Sequence, residues 1–198
     1  MIVVGLTGGI GSGKTTIGQY FESLGIAVYI ADKEAKALMN RSTVVKRKLV
    51  DLFGDNAYEN GKLNRPFLAS KIFANQKLLS KMNAIIHPKV ASHFQQWLKK
   101  QNSPYVIKEA AIIFENQLQD QYQYIITVVA DKDLRIKRII ERDDTSADKI
   151  KSIIKNQLSD EEKIEKSDFV IYNNDLNTAK NQALKIHNQI LQEIGAKH

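Results

Sequence analysis

The sequence has no cysteine among its 198 residues. Disulfide bonds, thiolate zinc sites and cysteine nucleophiles are therefore excluded. No apolar run approaches the roughly 20 residues that a membrane-spanning helix needs. The first residues lack the basic segment of a signal peptide and run directly into an apolar stretch that we interpret as a core strand. We therefore expect a soluble, cytoplasmic protein without a membrane partner.

Aromatic residues are also few, at 8% of the chain. Proteins that bind single-stranded nucleic acid commonly stack bases on interleaved aromatic side chains. No nucleic-acid recognition motif is present either, so we expect no nucleic-acid partner. The net charge of +7 favours an anionic ligand in general and does not distinguish a small molecule from nucleic acid. We expect a monomer or weak homo-oligomer without a stable protein partner.

A glycine-rich stretch stands near the start of the chain. Residues 8–15 read Gly-Gly-Ile-Gly-Ser-Gly-Lys-Thr and fit the phosphate-binding pattern G-x-x-x-x-G-K-[ST]. Residues 2–6 before it are apolar and β-branched, as in a buried strand, and apolar residues follow at helical spacing from Ile17 to Leu24. This order of strand, glycine loop and helix is the context that the motif requires.

The residue types in this loop suit a triphosphate. Glycines allow backbone N–H groups to turn towards an anion, and the following helix directs its N-terminal N–H groups at the same place. Lys14 supplies a mobile positive charge, and the Thr15 hydroxyl suits Mg²⁺, which prefers oxygen ligands. We assign nucleotide binding to seven residues of the loop and the first helical turn: Gly9, Gly11, Ser12, Gly13, Lys14, Thr15 and Thr16.

The rest of the chain alternates predicted strands, at 26–30, 105–108, 124–129 and 168–172, with helical patterns. This alternation predicts an α/β fold with a P-loop NTPase-type parallel five-stranded sheet flanked by helices. We expect one domain, 1–198, with three subregions. These are a nucleotide-binding core (1–31, 104–135 and 168–198), an inserted helical acceptor-substrate region (32–103) and a helical lid (136–167).

Two acidic residues follow predicted strands, where parallel sheets place their ligands. Asp32 has two interpretations: a general base that faces the phosphate loop, or an N-cap of a helix over residues 33–39. Glu109 ends the third strand and is the candidate for the magnesium shell together with Thr15, with Glu115 as a second candidate.

Three arginines, Arg135, Arg138 and Arg142, follow the fourth strand at offsets that place them on one helical face. A row of guanidinium groups beside a phosphate loop favours a phosphate clamp. The alternative is a solvated basic face that pairs with nearby acids, which are Glu141, Asp143 and Asp144. The charge-rich residues 143–167 suit a mobile lid.

The helical pattern over residues 76–100 contains His87 directly before Pro88. Proline in a helix interior usually kinks or breaks it. We therefore predict an interruption there and a turn role for His87, with a substrate contact as the alternative.

Several activities share a phosphate-loop core. A GTPase switch is expected to carry DxxG and NKxD motifs, and neither is present. A motor or transporter ATPase needs a longer chain. A small-molecule phosphotransferase remains, with another small-molecule kinase of nucleoside monophosphate or sugar type, or a non-catalytic ATP-binding protein that acts on nucleic acid, as alternatives.

Residues 5–14, which read Gly-Leu-Thr-Gly-Gly-Ile-Gly-Ser-Gly-Lys, resemble the signature of dephospho-CoA kinases. Further matches to that family follow in its order along nearly the whole chain: residues 30–32, 61–65, 68–69, 86–88, 113–115 and 138–143, with Phe73, Gln157, Lys163, Asp168, Ile171 and Asn173. The chain departs from the family pattern at Glu109 and Asn64, where Asp is usual, and at Ser167, where Ala is common.

The resemblance implies transfer of the ATP γ-phosphate to the ribose 3′-hydroxyl of dephospho-CoA, with Mg²⁺ as cofactor and CoA and ADP as products. It implies catalytic roles for Lys14, Asp32, Arg138 and Arg142. Asp32 would orient the acceptor hydroxyl and take its proton. Arg65 and the basic helices of the insertion would hold the acceptor phosphates, with Asp32 and His87 as further substrate positions.

Overall fold

The computed structural model describes residues 1–73, 75–143 and 146–195, with the backbone alone at 147–149. It divides into two compact units. One combines Met1–Ile30 with Gln101–His198, and the other is Ala31–Lys100. No helix among the described residues is long and apolar enough to cross a membrane.

The first unit contains the α/β core. Its strands are β1 (Ile2–Thr7), β2 (Ala27–Ile30), β5 (Tyr105–Glu109), β6 (Tyr124–Val129) and β7 (Phe169–Tyr172). Its helices are α1 (Lys14–Ser23), α6 (Lys132–Asp143), α7 (Ala147–Lys155), α8 (Asp160–Glu165) and α9 (Leu176–Gly195), with a 3₁₀ turn at Gln119–Gln121.

The five strands form one parallel sheet in the order β2-β5-β1-β6-β7. The predicted five-stranded parallel sheet is therefore confirmed. β1 lies at its centre, so the loop that follows β1 begins between the carboxyl ends of β5 and β6. That edge is where open α/β sheets bind ligands.

The main core lies between the sheet and the helices α1 and α9. Apolar residues of the central strands, such as Leu6 and Ile126, pack against Ile17 and Phe21 of α1 and Ile190 of α9. All five are fully buried. Burying a side chain of this size contributes about 1.5–3 kcal/mol, so this core fixes the sheet edge from which the loop departs.

The second unit comprises α2 (Ala31–Arg41), α3 (Thr43–Phe53), a 3₁₀ turn (Asp55–Ala57), β3 (Tyr58–Glu59), β4 (Lys62–Leu63), α4 (Arg65–Ile72) and α5 (Gln76–Leu98). The helices pack on one another through buried apolar residues, which are Leu38, Val45, Leu49, Leu68, Ile86 and Phe94. Three side-chain caps fix helix starts: Ser42 accepts from the N–H of Val45, Asn64 from that of Phe67 and Asn75 from that of Leu78. Asn64 thus caps α4 at a position where an Asp would do the same.

The prediction of an entirely helical insertion is wrong in one place. β3 and β4 pair as an antiparallel hairpin, with Tyr58 opposite Leu63 and Glu59 opposite Lys62. The two connecting residues, Asn60 and Gly61, both have positive φ, at 49° and 75°. Asn-Gly is the preferred pair for such a two-residue hairpin turn.

The predicted interruption at His87 and Pro88 is also wrong. α5 is one helix from Gln76 to Leu98, with Pro88 inside it. His87 is therefore an exposed residue of a helix and not of a turn. Buried Ile86 and Phe94 anchor the helix on both sides of the proline, so tertiary packing outweighs the local cost of the missing N–H.

The alternative interpretation of Asp32 as an N-cap before residues 33–39 is wrong as well. α2 begins at Ala31, immediately after β2, and Asp32 lies within its first turn. A carboxylate there still interacts favourably with the positive end of the helix dipole. The side chain is exposed, and capping no longer accounts for it.

Candidate active site at the phosphate loop

The phosphate loop connects β1 to α1. Gly13 immediately precedes α1 with φ 92° and ψ 21°, a left-handed conformation that favours glycine. Among the described residues, no side chain forms a capping hydrogen bond at this end of α1. The first N–H groups of the helix and the positive end of its dipole lie at the end of this loop, an arrangement that suits an anion.

Packing imposes a second requirement for glycine in the loop. A Cβ at position 9 would lie 2.0 Å from Nη2 of Arg135, and a Cβ at position 13 would lie 2.1 Å from Nδ2 of Asn173. Both neighbouring side chains are buried, since Arg135 is 5% exposed and Asn173 is 2% exposed. Neither can therefore move into solvent to make room for a Cβ. Glycine at these two loop positions therefore leaves room for the Arg135 and Asn173 side chains.

Lys14, the first residue of α1, folds back over the loop. Its Nζ donates to the carbonyls of Gly8 at 2.9 Å and Gly9 at 3.0 Å. The residue is only 9% exposed. Its ammonium group is therefore held beside the backbone that would surround a phosphate, which suits charge stabilisation there.

The structure brings Thr15 and Glu109 together. The Thr15 hydroxyl donates to Oε1 of Glu109 at 3.3 Å. Glu109 ends β5 and lies in register with Leu6 of β1, while Thr15 is in the first turn of α1. A hydroxyl and a carboxylate are the oxygen ligands that suit a hard cation.

These two oxygens fit a Mg²⁺ ion that keeps most of its shell for phosphate and water. In the part of the chain that the structure describes, no three His, Cys, Asp or Glu side chains gather to hold a metal by themselves. Glu115, the second candidate, has another use. Its Oε1 lies 2.8 Å from Nζ of the fully buried Lys163 and accepts from the N–H of Leu158 at 3.1 Å.

The three arginines of α6 have three different environments. Arg135 is buried and bonds to the loop and to Asp160. Arg138 donates from Nη2 to the carbonyl of Asn173 at 2.9 Å. Its Nη1 is buried without a hydrogen-bond partner among the described residues and lies 3.9 Å from the Cβ position of Gly13. This donor is placed for an anion at the loop.

Arg142 is exposed and held by its neighbour. Its Nε donates to Oδ1 of Asp143 at 2.7 Å, and its Nη2 donates to Oδ2 at 2.5 Å. This hydrogen bonding raises the pKa of Arg142. The contact is the one that the solvated-face alternative predicts for this arginine. Asp144, the other acid in that alternative, lies outside the described residues.

Two contacts near the loop were not predicted from the sequence. Asn173 donates from Nδ2 to the carbonyl of Ser12 at 2.8 Å, and the N–H of Ile10 donates to Oε1 of Gln157 at 3.0 Å. Both side chains are among the positions that resemble the family. That resemblance marked them as important without indicating that they contact the loop.

Three predicted site residues belong to the second unit. Asp32 lies in the first turn of α2, Arg65 is the first residue of α4, and His87 lies in α5. All three side chains are exposed. Their proposed roles towards a substrate stay predictions.

The positive charge of the chain is concentrated in the second unit. Its residues include 14 Lys and Arg and 5 Asp and Glu, a formal charge of +9, whereas the remainder of the chain carries 15 and 17, a formal charge of −2. The net charge of +7 therefore arises entirely from the inserted unit. A unit with this much positive charge favours a ligand that carries several negative charges.

Comparison with known proteins identifies the family. The family model described as "CoaE: Dephospho-CoA kinase" matches residues 2–179. The chain belongs to the dephospho-CoA kinase family. A dephospho-CoA kinase of Bacteroides fragilis is 40% identical over 173 residues, which cover 87% of this chain and 84% of the relative. The predicted family is thus confirmed.

Two solved structures are similar to this chain over nearly its whole length. A Thermus thermophilus protein superposes with a TM-score of 0.87 at 28% identity and covers 97% of both chains. A dephospho-CoA kinase from Campylobacter jejuni gives a TM-score of 0.69 at 27% identity and covers 95% of this chain and 96% of its own. Membership of this kinase family confirms the predicted ATP-dependent enzyme with a small-molecule substrate.

Proposed function

We propose that this chain transfers the γ-phosphoryl group of ATP to the ribose 3′-hydroxyl of dephospho-CoA, which gives CoA and ADP. The observation that carries the proposal is the family match over residues 2–179, combined with the phosphate loop at the centre of the sheet. In the reaction, a bond forms between the acceptor oxygen and the γ-phosphorus. The bond from that phosphorus to the leaving ADP oxygen breaks.

On the donor side, the loop amides, the N-terminus of α1 and Lys14 bind the ATP phosphates, through the seven nucleotide positions predicted from the sequence. Thr15 and Glu109 would hold a Mg²⁺ ion, and their contact at 3.3 Å supports that assignment. When bound, this ion neutralises phosphate charge and orients the phosphates. Most of the catalysis is then positioning and charge stabilisation, as is general for phosphoryl transfer.

Asp32 is proposed as the general base. It is the second residue after Ile30, where β2 ends, and Ile30 lies in register with Glu109 of the magnesium pair. Its carboxylate orients the acceptor hydroxyl, takes the hydroxyl proton as attack proceeds and later releases it to water.

The lid, proposed at residues 136–167, would bring Arg138 and Arg142 to the transferring group. The buried Nη1 of Arg138 near Gly13 supports its role. Arg142 must exchange Asp143 for phosphate oxygens as the lid closes. Closure also excludes water, which competes with the alcohol for the phosphoryl group.

The acceptor region is proposed at residues 32–103. Its formal charge of +9 between residues 31 and 100 supports binding of a polyanionic acceptor. Arg65 and His87 are the proposed contacts, and both are exposed. We also propose that the enzyme works in the cytoplasm as a monomer or weak homo-oligomer.

A panel of acceptors tests the proposal. ADP release from Mg²⁺ and ATP is measured with dephospho-CoA, with nucleoside monophosphates and with sugar alcohols. Dephospho-CoA is expected to stimulate release, and Lys14→Ala is expected to lower that rate by at least about a hundredfold. A stronger response to another acceptor would favour a different small-molecule kinase. No response to any acceptor, with salt-sensitive binding to DNA or RNA, would favour the nucleic-acid alternative.

A further inference from the structure

Ile10 of the phosphate loop is held through both of its backbone polar groups. Its N–H donates to Oε1 of Gln157 at 3.0 Å. Its carbonyl accepts from Nε of Arg135 at 2.9 Å. These partners lie 147 and 125 positions further along the chain. The loop is thus shaped by tertiary contacts as well as by its own sequence.

The Arg135 side chain that grips the loop is itself oriented by a carboxylate. Its Nη1 donates to both oxygens of Asp160, at 2.8 and 3.1 Å. Its Nη2 lies against the Cα of Gly9, since a Cβ there would be 2.0 Å away. The Arg135 side chain is 6% exposed and that of Asp160 is 23% exposed. A charge-assisted contact of this kind is stronger than a neutral hydrogen bond, so the carboxylate helps to fix where the guanidinium group lies.

Asp160 stands on a short helix that is anchored at both ends. Ser159 and Glu162 form a reciprocal capping box at its start. Near its end, the fully buried Lys163 forms an ion pair with Glu115, which follows β5 in the chain. Removing one partner of such a buried ion pair is strongly destabilising, because the other charge is left buried and unpaired. The pair therefore holds α8, and with it Asp160, in a fixed position.

We propose that Gln157 and Asp160, the latter through Arg135, are positioning residues that hold the phosphate loop in its ATP-binding shape. Residues 157–165 therefore act as a fixed support for the loop, so the moving part of the lid proposed at residues 136–167 would lie before residue 157. The inference rests on the proposed ATP site at this loop. A preformed loop spends less binding free energy on ordering itself around the phosphates.

The test compares Asp160→Asn with Glu161→Gln. Both changes remove one negative charge from the first turn of α8, and Glu161 is exposed, with no hydrogen bond or ion pair to the loop in the described part of the chain. Arg135→Lys removes the guanidinium group that joins Asp160 to the carbonyl of Ile10. Gln157→Leu removes the acceptor for the N–H of Ile10. For each variant, KM for ATP, KM for dephospho-CoA, kcat and amide hydrogen exchange over residues 8–14 are measured.

We expect Asp160→Asn to raise KM for ATP by about tenfold and to speed hydrogen exchange in the loop, with KM for dephospho-CoA little changed. Glu161→Gln is expected to match the parent. A merely structural defect lowers the active fraction and hence kcat without a selective rise in KM for ATP. If Asp160→Asn does not fold, the same measurements on Gln157→Leu test the proposal.

The proposal is overturned if the folded variants keep the parent KM for ATP and the parent exchange rates in the loop. Failure of the parent protein itself to bind ATP contradicts the proposed function instead. The two failures are therefore distinguishable.

Discussion

Asn173 donates a hydrogen bond from Nδ2 to the backbone carbonyl of Ser12 at 2.8 Å. The pair joins the residue after the last strand to the phosphate loop, 161 positions earlier. Asn173 is 2% exposed and Ser12 is fully buried. The residue that follows β7 thus supports the loop directly.

Replacing Asn173 with Asp is expected to destabilise the protein. The carboxylate cannot donate to the Ser12 carbonyl, and it places a buried negative charge beside a carbonyl oxygen. We expect the free energy of unfolding to fall by about 1–3 kcal/mol, measured by urea denaturation.

Asn174→Asp is the matched control. Asn174 is exposed, and its Oδ1 accepts from the N–H of Asp131 at 2.8 Å, which an Asp can also do. Equal stability losses in the two variants would show that the Asn173 bond to the loop contributes nothing of its own.

Asp32→Asn is expected to lower turnover by about two to four decades, because the amide cannot take the proton of the substrate hydroxyl. The side chain is exposed in the first turn of α2, so stability should change little. Single-turnover kinetics and thermal unfolding, measured on the same preparation, separate the two effects.

Asp51→Asn on α3 is the control, since it is an exposed acid of the same unit. Normal turnover of folded Asp32→Asn would rule out the general-base role.

Arg142→Ala is expected to slow transfer by about a hundredfold or more, while the affinity for ATP alone changes much less. Among the described residues, the Arg142 side chain forms hydrogen bonds with Asp143 alone, and it is 63% exposed. Its contribution is therefore expected only in the closed complex. Calorimetric ATP binding and turnover are compared with those of Lys137→Ala, an exposed cation on the same helix. Identical turnover in the two variants would leave Arg142 as a surface residue.

The buried pair of Tyr105 and His187 predicts a pH dependence of stability. The Tyr105 hydroxyl lies 2.8 Å from Nδ1 of His187, and burial lowers the pKa of His187. Because the unfolded chain takes up this proton more readily, the stabilisation is present above the ordinary pKa of about 6.5 and is lost as pH falls through the lower folded value.

Urea denaturation at about pH 7.5 and about pH 5.5 tests this linkage. His187→Gln keeps a neutral hydrogen-bonding group opposite Tyr105 and should lose less stability between the two pH values than the parent. His87→Gln, at an exposed histidine, should behave as the parent does. An undiminished pH dependence in His187→Gln would assign the effect to other groups.

The elements that the sequence predicted best are those in which local signals agree with burial. β1 and β6 are rich in β-branched residues, and the glycine pattern stands between β1 and α1, so the sheet and the loop could both be predicted. The hairpin of Tyr58–Glu59 with Lys62–Leu63 was missed because two-residue strands carry no alternation. Its Asn60-Gly61 turn was the available signal.

Other features depend on contacts that no local pattern contains. Arg135 and Arg138 occupy equivalent places in the sequence pattern, yet one bonds to Ile10 and the other to Asn173. Which partner each receives depends on how α6 lies over the loop. Proline likewise tends to break a helix. In α5 the helix continues through Pro88, because Ile86 and Phe94 are packed in the core on both sides of it.

The most direct test of the proposed reaction is mass spectrometry of the acceptor after incubation with ATP and Mg²⁺. We expect dephospho-CoA to gain one phosphoryl group on its ribose 3′-hydroxyl, with one ADP formed for each CoA. An acceptor of unchanged mass, beside ADP and inorganic phosphate, would contradict it.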